Sequence, residues 1–165
     1  MGKSMQELLA ASVELNVVDG VILPNLKMQG AEEACAYLDG EGRCSIHPYR
    51  PGICRLFPLG RYYENGGFSY FLQTGECAKE NRSKIKVSKW IDTPDLTRNQ
   101  QFTLQWHDLL HAMEERLTGE DEGKQREENL LLLRLFYLLP YEGTIDFYTQ
   151  FTERMEHWNG QNGQI

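Results

Sequence analysis

The C-terminal half of the chain repeats apolar residues at the 3.6-residue spacing of amphipathic helices. Thr93 is suitably placed to cap a first helix that ends at Gly119. A charged loop then leads to a second helix of about fifteen residues that stops before Pro140, and Thr144 is suitably placed to cap a third. The pattern predicts a helical region over residues 91–158. The positions that share a face are Phe102, Trp106, Leu109, Leu110, Met113 and Leu117 in the first helix, and Phe147, Tyr148, Phe151, Met155 and Trp158 in the third.

The N-terminal residues predict a short helix followed by an extended segment. Ser4 and Glu7 have the spacing of a capping box, in which each residue accepts a hydrogen bond at the helix start. Val21–Leu26 is β-prone, but Pro24 interrupts it and predicts an edge position or an irregular extended segment. The apolar residues expected on the first helix are Leu8, Leu9, Val13 and, at its end, Leu15.

Two pairs of short β-prone segments flank glycine turns in the middle of the chain. The first turn, Asp39–Gly42, predicts a hairpin that brings Cys35 close to Cys44. The second turn, Asn65–Gly67, is the strongest hairpin signal in the chain, and Cys77 follows it. The flanking segments are Cys35–Leu38 and Arg43–Ile46 for the first hairpin, and Arg61–Glu64 and Phe68–Leu72 for the second.

Together these elements predict an α+β protein that forms a single domain over residues 1–165. Within it we expect a small cysteine module built from hairpins at residues 30–90, packed with the N-terminal helix and the helical region. Residues 159–165 are polar and glycine-rich, and are predicted to be a disordered tail.

The charge of the chain argues against nucleic acid and anionic membranes as partners. The formal net charge is −7 at pH 7, whereas either partner requires a positive field. The basic segment Lys79–Lys89 is better explained as a solvated face. The sequence contains neither a signal peptide nor an apolar run long enough to span a membrane, so we expect a cytoplasmic protein with reduced thiols.

Cysteines and prolines concentrate in one stretch, Cys44–Gly60. Its three prolines each remove a backbone donor and restrict the preceding residue, which predicts a shaped loop that presents sulfur. The chain has four cysteines, Cys35, Cys44, Cys54 and Cys77. Four thiolates suit tetrahedral zinc or an iron–sulfur cluster, although the spacing lacks the C-x2-C pairs of zinc ribbons. The alternative is that they are small buried hydrophobes, as the apolar neighbours of Cys35 suggest.

Arginines accompany the cysteines. Arg50, Arg55 and Arg61 are expected to offset the negative charge of metal-bound thiolates and to donate hydrogen bonds to sulfur. Arg50 and Arg55 are therefore assigned to cofactor binding. His47, three residues after Cys44, is a candidate nitrogen ligand or a donor to the ligands, or else an ordinary loop residue.

These residues resemble the YkgJ-type cysteine-cluster family, a zinc- or iron-chelating domain named for a CxxCxxCC motif. The resemblance is specific over residues 30–90 and implies metal chelation. A related domain occurs in flagellin lysine N-methylase, which implies at most a link to protein methylation. The resemblance is carried by Cys35, the glycine turn, GRCSIH at Gly42–His47, RPGICRLFPLG at Arg50–Gly60, and Cys77.

The chain departs from the family at its start. Family members usually carry a cysteine-rich segment ahead of this part, whereas residues 1–34 contain no cysteine. We therefore expect a truncated, mis-started or divergent chain, whose metal site is incomplete if the missing cysteines share it.

Two further patterns are explained without chemistry. His107, His111 and Glu114 share one helix face, but the glutamate of an H-E-x-x-H motif is absent, which favours a solvated polar face. Gly66-Gly67 is a turn, and no nucleotide or S-adenosylmethionine motif occurs in the sequence.

Three hypotheses of function follow from the sequence. The first is a metal-binding module, with Cys35, Cys44, Cys54 and Cys77 as ligands. Its metal is structural if four protein ligands leave no open position, or redox-active if it is an iron–sulfur cluster. The second is the accessory or catalytic part of a protein-modifying enzyme, such as a lysine N-methylase. The third is a metal-free interaction module that binds a protein partner.

Overall fold

The computed structural model describes residues 2–76 and 84–162. The chain divides into two compact units, residues 1–45 with 108–165, and residues 46–107. The fold is α+β, as predicted. The proposed subdivision into a cysteine module at 30–90 and a helical region at 91–158 stays a prediction.

The described strands form three small antiparallel pairs, each made of two strands that follow each other in the chain. The helices are α1 (Met5–Ala11), α2 (Gly52–Leu56), α3 (Val87–Ile91), α4 (Leu96–Leu117), α5 (Glu122–Leu133) and α6 (Phe147–Asn162). The strands are β1 (Val13–Val18), β2 (Val21–Leu26), β3 (Met28–Gln29), β4 (Ala34–Cys35), β5 (Leu59–Glu64) and β6 (Gly67–Leu72). A 3₁₀ turn covers His47–Tyr49, and a π-helical segment covers Arg134–Leu138.

The capping box at the start of α1 is confirmed, but the helix is shorter than predicted. The Ser4 hydroxyl accepts from the Glu7 amide at 3.3 Å, and the Glu7 carboxylate accepts from the Ser4 amide at 2.7 Å. The bond from the Ser4 amide, together with one that the Ser4 hydroxyl donates to the same carboxylate, lowers the pKa of the Glu7 carboxyl. Val13 and Leu15, expected on the helix, lie in β1 instead, because this β-branched stretch pairs with β2.

The β1–β2 hairpin accommodates Pro24 without losing a ladder hydrogen bond. The turn residues Asp19 and Gly20 both have positive φ, as a tight two-residue turn requires. The amide of Ile22 points away from β1 and donates to Asn129 Oδ1 at 2.6 Å. Amides alternate in direction along a strand, so the nitrogen of Pro24, two residues later, also faces away from β1.

The helices and the β1–β2 hairpin of the first unit together supply its core. Asn129 of α5 is only 3% exposed. Besides accepting from the Ile22 amide, its side chain donates to Gly20 O at 3.2 Å, so it joins α5 to the β1–β2 hairpin. A part-buried ion pair joins Arg116 of α4 to the buried Glu128 of α5, with Arg116 Nε 2.8 Å from Glu128 Oε2. The buried apolar residues of this unit include Val13, Val21, Leu109, Met113, Leu117, Leu132, Leu133, Leu135, Phe136, Phe151 and Trp158.

Two of the predicted helix caps are displaced by two residues. Thr93 and Thr144 were expected to cap α4 and α6, but the carboxylates of Asp95 and Asp146 accept the first-turn amides, at 3.0 and 2.9 Å. A carboxylate caps a helix as well as a hydroxyl does, so in each case the cap is the aspartate, which lies nearer the first helical turn than the threonine. Gly119, with φ +84, follows the end of α4 as predicted.

The end of the second long helix widens into the π-helical segment before Pro140. The guanidinium of Arg154 donates to the carbonyls of Leu135 at 2.7 Å, Leu139 at 3.0 Å and Pro140 at 2.8 Å. It thereby satisfies acceptors that the helix end leaves open. α6 extends to Asn162, so residues 159–162 of the predicted disordered tail are helical.

The second unit is built on the β5–β6 hairpin, the loop around α2, α3 and the start of α4. The Asn65-Gly66 turn is confirmed, with both residues at positive φ and Glu64 paired with Gly67. Among the residues of this unit that the structure describes, Leu56 and Ile91 are the buried apolar side chains. The Trp90 indole donates to Phe57 O at 3.1 Å and joins α3 to the end of α2.

Candidate metal centre

Cys35 and Cys44 lie in the first unit, on either side of the predicted Asp39–Gly42 turn. Cys35 ends β4 and pairs with Met28 of β3. Its carbonyl accepts from the Leu38 amide at 2.9 Å, and Leu38 forms a β-bridge with Cys44. A hairpin turn is therefore present at the predicted place and is closed by the Leu38–Cys44 bridge, but Cys35 pairs with Met28 of β3 and not with a residue of 43–46. The proximity of Cys35 to Cys44 stays a prediction.

Local hydrogen bonds hold this turn. Asp39 Oδ1 accepts from the amides of Glu41 and Arg43, both at 2.9 Å, and Gly42 supplies a positive φ of 73°. The bond from the Arg43 amide is the main cause that lowers the pKa of the Asp39 carboxyl. Tyr37, between the two cysteines, is hydrogen-bonded through its hydroxyl to Ser12. The backbone that carries both thiols is therefore anchored.

Cys54 lies in the second unit, in the short helix α2. Pro51 precedes the helix, and its carbonyl accepts from the Cys54 amide at 3.0 Å. Of the cysteines in the described part of the chain, Cys35, Cys44 and Cys54, none forms a disulfide, and each is half-buried. Cysteine thiolates are ligands of both zinc and iron, so these three half-buried thiols are chemically suitable ligands for either metal.

The arginines assigned to cofactor binding have different surroundings. Arg55 donates to Asp92 O at 3.1 Å and to Pro48 O at 3.0 Å, so it clamps the loop to the end of α3. Arg50 Nε is buried and has no hydrogen-bond partner within the described chain. Arg50 is therefore the better supported of the two as a donor to a bound group. His47 lies in the 3₁₀ turn and is exposed.

The four-cysteine ligand set stays a prediction. Cys77 and residues 79–83 of the basic segment Lys79–Lys89 lie outside the described residues. Within residues 2–76 and 84–162, no three histidine, cysteine, aspartate or glutamate side chains gather as a group that could hold a metal ion.

The open cleft of the first unit is not a thiol site. It has a volume of about 570 Å³, and the π-helical segment and Arg154 form part of its wall. Among its described lining residues, Arg134, Glu142, Glu153 and His157 are polar, and none is a cysteine.

A family model described as "CxxCxxCC: Putative zinc- or iron-chelating domain" matches residues 3–71 of the chain. The family resemblance is confirmed. The match begins well ahead of residue 30, so it includes α1 and the β1–β2 hairpin as well as Cys35, Cys44 and Cys54. It ends before Cys77. Comparisons with curated proteins and with solved structures gave no significant match.

The family description indicates a zinc- or iron-chelating role for this segment. None of the described helices combines the length and the apolar character needed to cross a membrane.

The histidines of α4 have separate surroundings. His111 is exposed, with Nδ1 3.6 Å from Glu114 and Nε2 3.7 Å from Glu115. The ring of His107 instead stacks on Tyr63, with 3.7 Å between the ring centroids. His107 is thus a packing residue of the second unit, which the spacing alone did not indicate.

Sequence reasoning missed one pair of polar side chains. The sequence predicts Arg61 as a donor to metal-bound sulfur and indicates no functional role for Tyr70. The structure places them opposite each other on β5 and β6. The two-residue turn at Asn65-Gly66 sets this register, so the pairing could have been found by counting outward from it.

Proposed function

We propose that this chain binds a zinc ion or an iron–sulfur cluster through cysteine thiolates. The observation that carries the proposal is the family match over residues 3–71, which contains Cys35, Cys44 and Cys54. The half-buried state of these three thiols supports it, because such sulfur is reachable by a metal yet protected from solvent.

The proposed ligands are the four cysteines that the sequence predicts, with His47 as an alternative nitrogen ligand. Four thiolates complete a tetrahedral zinc site and leave no position for substrate, so zinc would stabilise the fold. An iron–sulfur cluster would supply electron transfer instead. The buried Nε of Arg50 supports a role in donating to a thiolate, since such donors tune and orient metal-bound sulfur.

The test is elemental analysis and visible absorption of protein purified without oxygen. We expect one zinc per chain without colour, or a brown sample with iron and sulfide. Cys44→Ser and Cys54→Ser should each lose most of the metal and stability, because folding and metal binding are coupled. Metal held at one hundred times its Kd adds about 2.7 kcal/mol to the free energy of unfolding, and a variant without metal loses that amount.

Ser69→Ala is the control, because Ser69 is exposed and the change, like Cys→Ser, is confined to the γ atom of one side chain. It should keep both metal and stability. A wild-type protein that contains no stoichiometric metal would refute the proposal, as would cysteine variants as stable as the Ser69 control.

A metal-free interaction module is the second candidate. Exposed apolar side chains flank Cys54 at intervals of four residues: Tyr49 is 64% exposed, Ile53 70% and Phe57 47%. Such a cluster favours a protein partner. It predicts a wild-type protein without metal and with thiols that react freely. The third hypothesis, a lysine N-methylase-like role, stays a prediction from the resemblance.

A further inference from the structure

Two hydrogen-bond donors on one face of the β5–β6 hairpin are buried without partners. Arg61 and Tyr70 are opposite each other in the strand register and therefore project to the same side. Arg61 Nε and the Tyr70 hydroxyl are both inaccessible to solvent, and neither has a hydrogen-bond partner within the described chain. Both unmet donors thus arise from one cross-strand pair.

Such donors are costly unless something accepts from them. A buried donor without a partner loses about 1–3 kcal/mol, and more when it is charged. Folded proteins pair the great majority of their buried polar groups, so each exception indicates an absent acceptor. Two exceptions on one cross-strand pair, one of them on a guanidinium, point to an acceptor that carries negative charge.

Aromatic rings shape the space around this pair. The guanidinium carbon of Arg61 lies 5.4 Å from the centroid of the Phe68 ring and 6.0 Å from that of Tyr70. Phe68 and Tyr70 meet edge to face, with 5.2 Å between centroids, and Tyr63 stacks on His107 beside them. These contacts hold the Arg61 side chain against the hairpin, so its donors are pre-organised.

The charge of Arg61 is also not neutralised locally. In residues 2–76 and 84–162 no carboxylate forms an ion pair with it, whereas Arg43, Arg55 and Arg116 each have one. The rings around Arg61 offer only their π faces to the cation. Both donor atoms are covered, so an anion reaches them by displacing a covering side chain, and it then meets an uncompensated positive charge and two donors.

We propose that Arg61 and Tyr70 form a binding site for an oxyanion, a carboxylate or phosphate group that accepts from both side chains. A guanidinium is the donor best matched to the planar or tetrahedral oxygens of such groups. The site uses neither a cysteine nor a metal ion, so the result of its test is independent of whether the proposed metal centre exists.

The test is a titration followed by the amide NMR shifts of β5 and β6, with inorganic phosphate and acetate as probes at constant ionic strength. We expect saturable shifts with at least one probe. Tyr70→Phe removes only the hydroxyl and should raise the Kd about tenfold or more, as for loss of a hydrogen bond to a charged group. Arg61→Gln should abolish the saturable shifts.

Tyr62→Phe is the matched control. Tyr62 lies on the opposite face of the hairpin and is 60% exposed, so this variant should bind each probe as the wild type does. If neither probe gives saturable shifts, or if Tyr70→Phe binds as tightly as Tyr62→Phe, the proposal is wrong.

Thermal unfolding separates this binding role from a merely structural one. Without a probe anion, Tyr70→Phe should melt no lower than the wild type, because the hydroxyl it removes is unpaired. With saturating probe, only the wild type should gain the full upward shift of Tm. If Tyr70→Phe lowers Tm equally with and without the probe anion, the proposal is wrong. It is also wrong if the effect of Tyr70→Phe on Tm depends on the metal content of the protein and not on the anion.

Discussion

Asn129 joins the β1–β2 hairpin to α5 through one buried side chain. Its Oδ1 accepts from Ile22 N at 2.6 Å, and its Nδ2 donates to Gly20 O at 3.2 Å and to Gln125 O at 2.9 Å. The residue is only 3% exposed. Asn129→Ala therefore removes three hydrogen bonds and leaves backbone groups of the hairpin without their partner.

The expected loss of unfolding free energy is about 2–4 kcal/mol. A typical hydrogen bond contributes about 1 kcal/mol net, and a backbone group left buried and unpaired costs about 1–3 kcal/mol. Water can reach the exposed side of the hairpin turn and recovers part of the sum, so the estimate lies below the full total.

Urea unfolding followed by far-UV circular dichroism measures this loss. Asn25→Ala is the matched control, because Asn25 lies in the same hairpin, is exposed, and bonds only to Leu23 O at 3.2 Å. The control should lose no more than about 0.5 kcal/mol. If Asn129→Ala unfolds at the same urea concentration as Asn25→Ala, the hairpin is not held through this side chain.

Two further changes test local features of the hairpins. Gly60→Ala would place its Cβ 2.3 Å from the ring of Phe71, so the ring must swing away, and we expect a loss of about 1 kcal/mol in urea unfolding. Gly143→Ala, which meets nothing within 4 Å, should lose none, and equal stability of the two variants would contradict the packing argument. The Asp39 carboxyl has a lowered pKa in the folded state, so its stabilisation is present above the ordinary aspartate pKa and disappears as pH falls through the folded value. Asp39→Asn should therefore show a flatter decline of Tm between about pH 5 and pH 2 than the wild type, and an unchanged decline would contradict that assignment.

The hairpin turns and the long helix were predictable because their signals are local. Asn65-Gly66 and Asp39–Gly42 contain residues that tolerate positive φ, and their backbone bonds close within four residues. The 3.6-residue repeat of α4 likewise needs no knowledge of the rest of the chain. The capping box at Ser4 belongs to the same class of signal.

The start of the β1–β2 hairpin could not be predicted from such local signals. Val13 and Leu15 follow a helix and continue its apolar spacing, so the pattern is compatible with a longer helix. Pairing with Val21–Leu26 decides the outcome, and Asn129, more than a hundred residues away in sequence, takes up the amide that the hairpin leaves open. Tertiary contacts commonly override such short-range preferences.

The sequence by itself determined the resemblance to the chelating family, the α+β class and the residues that can bear sulfur chemistry, because these depend on residue type, spacing and local turns. Only the tertiary structure decided which donors are in use. Arg55 is bonded to the backbone of its own unit, whereas Arg50 and the Arg61–Tyr70 pair keep buried donors unmet. Spacing in a sequence carries no information on burial or on competing acceptors, and those two quantities determine whether a charged side chain stabilises the fold or is available to a ligand.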